Sequence, residues 1–170
     1  VLKNIASVIT LKPEKIIFIY DNQIKDYNRF VSLKKCFSKH YTDYSFERYP
    51  ININDLQEIY ETVKSILLCN EECYIEFTGG SELMLMAGFK AGYDLNARLI
   101  YTDLIERLIK DTENNLIAKM AKICINDFVD AMGAKIIGNS KHEPKEEDYD
   151  NILNMADYIF HNLYDWKKTC

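Results

Sequence analysis

The sequence predicts an α/β domain: a Rossmann-like, doubly wound, mostly parallel sheet with a β-hairpin and a C-terminal helix. Three observations carry this reading. Short runs rich in β-branched and aromatic residues, such as Lys15-Ile16-Ile17-Phe18-Ile19-Tyr20, alternate with longer stretches of helical period. That run is continuously apolar, as suits a strand covered on both faces. Strand–helix–strand alternation in turn implies right-handed crossovers between parallel strands.

Taken in order, residues 2–11 read as a helix rather than a strand. The chain is therefore expected to start inside a βα unit whose first strand is missing. A strand over 15–20 follows. Asp21-Asn22 then opens a helix to about residue 40, with Ile24, Tyr27, Phe30, Val31, Leu33, Cys36 and Phe37 as its apolar positions. Residues 44–49 alternate like a strand. Asn54 is the predicted N-cap of a helix to residue 68, which carries Leu56, Ile59, Tyr60, Val63, Ile66 and Leu67 at helical spacing. A strand over 73–77 is broken by Gly79-Gly80, and a helix follows over 81–95. Residues 98–101 form another strand, and 106–110 with 116–121 form a hairpin across Asp111-Thr112-Glu113-Asn114-Asn115. Asn126 is placed to cap a short helix that Gly133 ends. Residues 139–147 are polar, contain Pro144 and read as a linker, before a last amphipathic helix over 147–166. The expected division is a Rossmann-like domain over 1–138 and a linker with a connector helix over 139–170.

With 170 residues, 48% apolar and 28% charged, the chain can bury one full core and is not a disordered segment. Lys plus Arg number 21 against 26 Asp plus Glu, a net charge of -5. That balance argues against non-specific binding to duplex nucleic acid or to an anionic membrane. It leaves open a single anion held where backbone N–H groups converge. No apolar run approaches the ~20 residues of a membrane-spanning helix, and no signal-peptide pattern is visible, so the expected location is cytoplasmic. The five cysteines, Cys36, Cys69, Cys73, Cys124 and Cys170, are odd in number and irregular in spacing; they read as reduced thiols rather than a disulfide or zinc framework. His40, His142 and His161 are scattered, and Glu146, Glu147, Asp148 and Asp150 read as an acidic helix start that complements the helix dipole. No catalytic constellation, metal site or cofactor is expected.

The candidate centre is Thr78-Gly79-Gly80-Ser81. In open α/β sheets ligands gather at the carboxyl ends of strands. Two glycines let the backbone turn sharply and a ligand approach closely. The N–H groups of the helix that follows then favour phosphate or another anion, and Thr78 and Ser81 add hydroxyls. The plainer reading is a tight turn and a capped helix. The lysine and later glycines of nucleotide-binding loops are absent. Glu82 cuts both ways, since it suits the dipole but repels a phosphate. The helix itself is apolar nearly all round, with Gly88 and Gly92 on one face. Either packing on the sheet or a subunit interface accounts for that face.

The stretch Tyr74-Ile75-Glu76-Phe77-Thr78-Gly79-Gly80-Ser81-Glu82-Leu83-Met84 resembles the signature of CARF domains, the CRISPR-associated Rossmann-fold sensors. Leu11-Lys12-Pro13-Glu14-Lys15 and Ala131-Met132-Gly133-Ala134 resemble features of the branch found in CRISPR ancillary nucleases. The resemblance spans roughly residues 4–137; Glu82 stands where a lysine is common. It implies a homodimer that binds a cyclic oligoadenylate, cyclic tetra-adenylate first among them, across its two-fold axis. That ligand would switch a fused or associated nuclease effector in type III CRISPR antiviral defence. Matching positions give Thr78, Gly79, Gly80, Ser81 and Glu82 as ligand-binding, and sheet geometry adds Asp21, Asn22 and Thr102 at neighbouring strand ends. Two alternatives stay open: a ring nuclease that cleaves the cyclic oligoadenylate, with Ser81 or Thr78 in support, and a dimerisation module with a degenerate site.

Overall fold

The computed structural model describes residues 2–24 and 27–134. Their elements run α1 (Leu2–Leu11), β1 (Lys15–Asp21), α2 (Tyr27–Ser38), β2 (Ser45–Ile51), α3 (Leu56–Leu68), β3 (Tyr74–Glu76), α4 (Glu82–Asp94), β4 (Arg98–Asp103), β5 (Leu108–Asp111), β6 (Leu116–Lys119) and α5 (Ile125–Ala131). The expected linker and connector helix lie outside the described residues, as do His142, His161 and the acidic residues 146–150.

The strands form two ladders. β1 and β2 pair in parallel, from Lys15 opposite Ser45 to Asp21 opposite Ile51. β3 pairs in parallel with β4, and β4, β5 and β6 continue antiparallel. Residues 45 and 51 of β2 bond to β1, through Ser45 N–H to Glu14 C=O and Asn22 N–H to Ile51 C=O. By alternation Pro50 faces away from β1, where its missing N–H leaves no gap. The expected hairpin forms because Asp111 Oδ1 accepts the N–H groups of Glu113 and Asn115, at 3.0 and 2.7 Å. Asn114 takes the left-handed φ of 66° that completes the turn.

Two core clusters cover the ladders. One joins Ile5 and Ile9 of α1 with Ile16, Leu33, Cys36, Phe37 and Ala131. The other joins Ile59 and Val63 of α3 with Ala87 and Ala91 of α4 and Ile51 of β2. Helices α1, α2 and α5 thus share one core and α3 and α4 another, as the doubly wound reading requires. Gly92 answers the question of the small face of α4: a Cβ there would lie 2.3 Å from Leu99 Cδ2 and 2.9 Å from Ile75 Cδ1. The glycine face therefore packs on the sheet. The opposite side leaves Met86, Phe89 and Tyr93 exposed.

Three caps differ from expectation. α2 begins at Tyr27 because β1 continues through Asp21, whose Oδ1 accepts the Gln23 N–H at 2.9 Å and closes a local turn. Asp55, not Asn54, caps α3: its carboxylate accepts Gln57 and Glu58 N–H, each at 3.0 Å, while Asn54 N–H turns back to Asn52 Oδ1. α5 is capped at Cys124 rather than Asn126, because Asp127 Oδ2 reaches back to the Cys124 N–H at 2.9 Å. Gly133 follows that helix at φ 69°. The four described cysteines are free, and burial pushes the Cys36 thiol up to about 12. Among the described residues no helix is long and apolar enough to cross a membrane.

Candidate functional site

The site starts from β3. Arg98 N–H donates to Cys73 C=O and Phe77 N–H to Ile100 C=O, at 3.2 and 2.8 Å, so β3 is tied to β4 along its whole length. The chain then leaves the sheet through Thr78-Gly79-Gly80-Ser81. Gly80 has φ 126°, a conformation that side chains rarely adopt. Ser81 is the N-cap of α4, and its Oγ accepts the Met84 N–H at 3.3 Å. Leu85 N–H already bonds Ser81 C=O, so the N–H groups of Glu82 and Leu83 at the helix start have no intrahelical acceptor. Both glycines are exposed, and Glu82 is exposed as the first residue of the helix.

Behind the turn sits a polar cluster. Glu76 Oε1 accepts the Thr78 N–H at 3.1 Å, and its Oε2 accepts the Thr102 hydroxyl at 3.0 Å. Burial pushes the Glu76 carboxyl above its ordinary value; the hydroxyls of Ser7 and Thr102, the Thr78 N–H and the Lys3 charge offset this only in part. Thr78 Oγ1 and Asn4 Oδ1 are both buried without a hydrogen-bond partner. Asn4 of α1 lies against the turn: a Cβ on Gly79 would be 3.1 Å from its Oδ1. Two buried acceptors without donors are exceptional, since such atoms are nearly always satisfied.

The structure therefore places Thr78, Gly79, Gly80, Ser81 and Glu82 together at one strand-to-helix turn. Asp21 and Asn22 stand at the end of β1, with Asn22 N–H held by Ile51 C=O at 2.8 Å. Thr102 is different. It is only 1% exposed and its hydroxyl is engaged by Glu76, so it reaches the turn through that carboxylate and not by facing solvent. Asn4 and Glu76 were missed in the sequence. Asn4 gave no signal. Glu76 did: a carboxylate inside an apolar strand two residues before Thr-Gly-Gly is a feature to follow up.

A cleft of about 370 Å³ opens beside the turn, between β1 and β3, and Gly79 lines its end. Among the described residues no group of three acidic, histidine or cysteine side chains is arranged to hold a metal ion.

No protein-family model and no curated protein sequence matches the chain. Solved structures do. Can2 from Sulfobacillus thermosulfidooxidans, solved in complex with cyclic tetra-adenylate, superposes with a TM-score of 0.68 at 15% identity, over 76% of this chain and 37% of that one. Protein VC1899 from Vibrio cholerae superposes with a TM-score of 0.62 at 14% identity, over 76% of this chain and 36% of that one. The chain thus spans little more than a third of the length of these two proteins. With its parallel strands, its Thr-Gly-Gly-Ser exit from β3 and this likeness to Can2, the chain has a CARF-like fold.

Proposed function

We propose that the chain is a sensor domain that binds a cyclic oligoadenylate at the Thr78–Ser81 turn, as a homodimer, to control an effector in type III CRISPR antiviral defence. Cyclic tetra-adenylate is the first candidate, because it is the ligand bound to Can2, a protein of the same fold. The observation that carries the reading is the turn itself: exposed Gly79 and Gly80 backbone beside the unclaimed N–H groups of Glu82 and Leu83. Such a nest holds a phosphate oxygen on a protein whose overall charge is -5. The Glu82 carboxylate repels phosphate from the α4 side and leaves the glycine side as the approach. Asp21 and Asn22 supply acceptors and donors for base or ribose, while Thr102 acts at one remove by steadying Glu76. The exposed Met86, Phe89 and Tyr93 of α4 give a second copy an apolar face beside the turn. An isologous dimer on that face brings two identical turns to one symmetric ring.

Calorimetry with cyclic tetra-adenylate tests this directly. One ring per two chains is expected, together with a rise in melting temperature. Absence of heat and of any thermal shift at high ligand concentration would remove the sensor reading. Chromatography of the ring after long incubation should return it intact; linear products would make the domain a ring nuclease instead.

A further inference from the structure

Helix α5 carries the chain back along α2. The Cys36 thiol donates to the Asp127 C=O at 3.2 Å, and His40 Nε2 meets the Asp127 carboxylate at 2.8 Å. Further on, a Cβ on Gly133 would lie 3.0 Å from Ser32 Oγ. α5 thus runs antiparallel to α2, from its carboxyl end toward its middle, and Ala134 points the chain toward the start of α2. Either side of the Ser32–Gly133 contact stand two exposed apolar residues, Val31 at 52% and Met132 at 46%. Lys34 and Lys35, both exposed, flank Val31 one turn on. Their aliphatic stems widen the apolar strip, and their ammonium groups edge it with positive charge. Over residues 27–39 there are four basic residues, Arg29, Lys34, Lys35 and Lys39, and no acidic one.

The sequence beyond the described residues has the complementary pattern. Ile152, Leu153, Ala156, Ile159, Phe160 and Leu163 recur at helical spacing and make one apolar stripe. Glu146, Asp150 and Asp157, four and seven apart, follow one edge of that stripe. Residues 143–165 hold seven acidic residues against Lys145 alone. Residues 135–145 reach at most about 40 Å when extended, enough to turn the stripe back along α2. A helix of this length is marginal in water unless its apolar face is covered.

Two apolar faces of the domain could cover it, and charge decides between them. α4 exposes Met86, Phe89 and Tyr93, but it carries Glu82 and Asp94 against Lys90, which is already held by Asp94. An acidic helix is repelled there. We propose that residues 146–163 of this chain dock as a helix on the α2–α5 face, with the apolar stripe over Val31 and Met132 and the acidic edge against Lys34 and Lys35. The α4 face is then left for the second copy. The docking does not depend on the ligand reading.

The test is amide hydrogen exchange on residues 1–170 without ligand. The amides of residues 152–163 are expected to exchange at least tenfold more slowly than in an unstructured peptide. Val31→Asp should remove that protection. Lys34→Glu with Lys35→Glu should weaken it severalfold, and adding Asp150→Lys with Asp157→Lys should restore it. Tyr93→Asp on α4 should change nothing. The amides of Ile100 and Ile109, in the sheet, should stay slow throughout, which separates undocking from unfolding. Unprotected amides over 152–163 in the parent overturn the proposal. So does protection that Tyr93→Asp removes while Val31→Asp spares it, which would seat the helix on α4. Protection lost on dilution also overturns it, because the occupant would then be a second copy. Failure of the reversed lysines to be rescued by the reversed aspartates removes the charge pairing on which the choice of face rests.

Discussion

Two carboxylates in this domain, one buried and one half-buried, sit in opposite states, and the contrast separates a structural staple from a site. Asp127, at the start of α5, is only 4% exposed. It accepts from His40 Nε2 and the Cys124 N–H, at 2.8 and 2.9 Å, and from Cys124 Sγ at 3.2 Å. Its own C=O takes the Cys36 thiol at 3.2 Å, and Lys39 holds Asp130 one turn on. Burial opposes its charge, yet these donors hold the carboxyl below its ordinary value. Glu76 is half-buried, but its donors do not outweigh the desolvation and its carboxyl rises. Its neighbours Thr78 and Asn4 keep orphaned oxygens. A saturated network needs nothing more and serves to anchor α5 on α2. An unsaturated one beside an exposed glycine turn is where further groups belong.

The contrast can be broken at its strongest point first. Asp127→Ala strands the Cys124 N–H and the His40 ring and should lower stability by about 3 kcal/mol, read by urea denaturation. Ring binding should be unchanged. Because the Asp127 carboxyl is held low, its contribution is present above about pH 4 and is lost as pH falls through the folded value. The gap between variant and parent should therefore narrow in acid. Next, Gly80→Val forces a β-branched residue to φ 126° and brings its Cβ to 3.3 Å from Met84 Cβ. On the order of a 100-fold loss of affinity for cyclic tetra-adenylate is expected by calorimetry, as the turn is pushed out of shape. Unaltered affinity would show that the site lies elsewhere.

Smaller effects sharpen the comparison. Ser81→Ala removes the α4 cap and should destabilise by about 1 kcal/mol in thermal unfolding, with ring binding weakened as well. Glu76→Gln removes the charge and keeps one acceptor oxygen for the Thr78 N–H, while its amide N–H can donate to the Thr102 hydroxyl. A carboxyl raised in the folded state weakens the fold above its folded value, and that penalty is relieved as pH falls through it. The parent should therefore gain stability on mild acidification toward the ordinary carboxylate range. The glutamine variant should be no less stable at neutral pH and should show no such gain. A parent whose stability is flat across that window would remove the distinction between the two carboxylates.

Much of this was legible in the residues. The apolar run 15–20, the Thr-Gly-Gly-Ser exit and the Asp111–Asn115 hairpin all lie where local pattern placed them, because each depends on chemistry within a few positions. Caps were less legible. Asn54 and Asp55 are both good N-caps, and only the backbone at Asp55, φ -109° and ψ 99°, selected one. Thr102 was legible as a strand-end hydroxyl but not as a buried one, since its partner Glu76 lies 26 residues away.

The sequence by itself determined where the backbone turns and which helix follows, because glycine freedom, a serine cap and apolar period act within one or two turns of chain. Only the tertiary structure decided which polar atoms are satisfied. It left Asn4 and Thr78 without donors, buried Thr102 against Glu76 and held β1 apart from β3, since burial and hydrogen-bond supply depend on segments remote in sequence meeting in space.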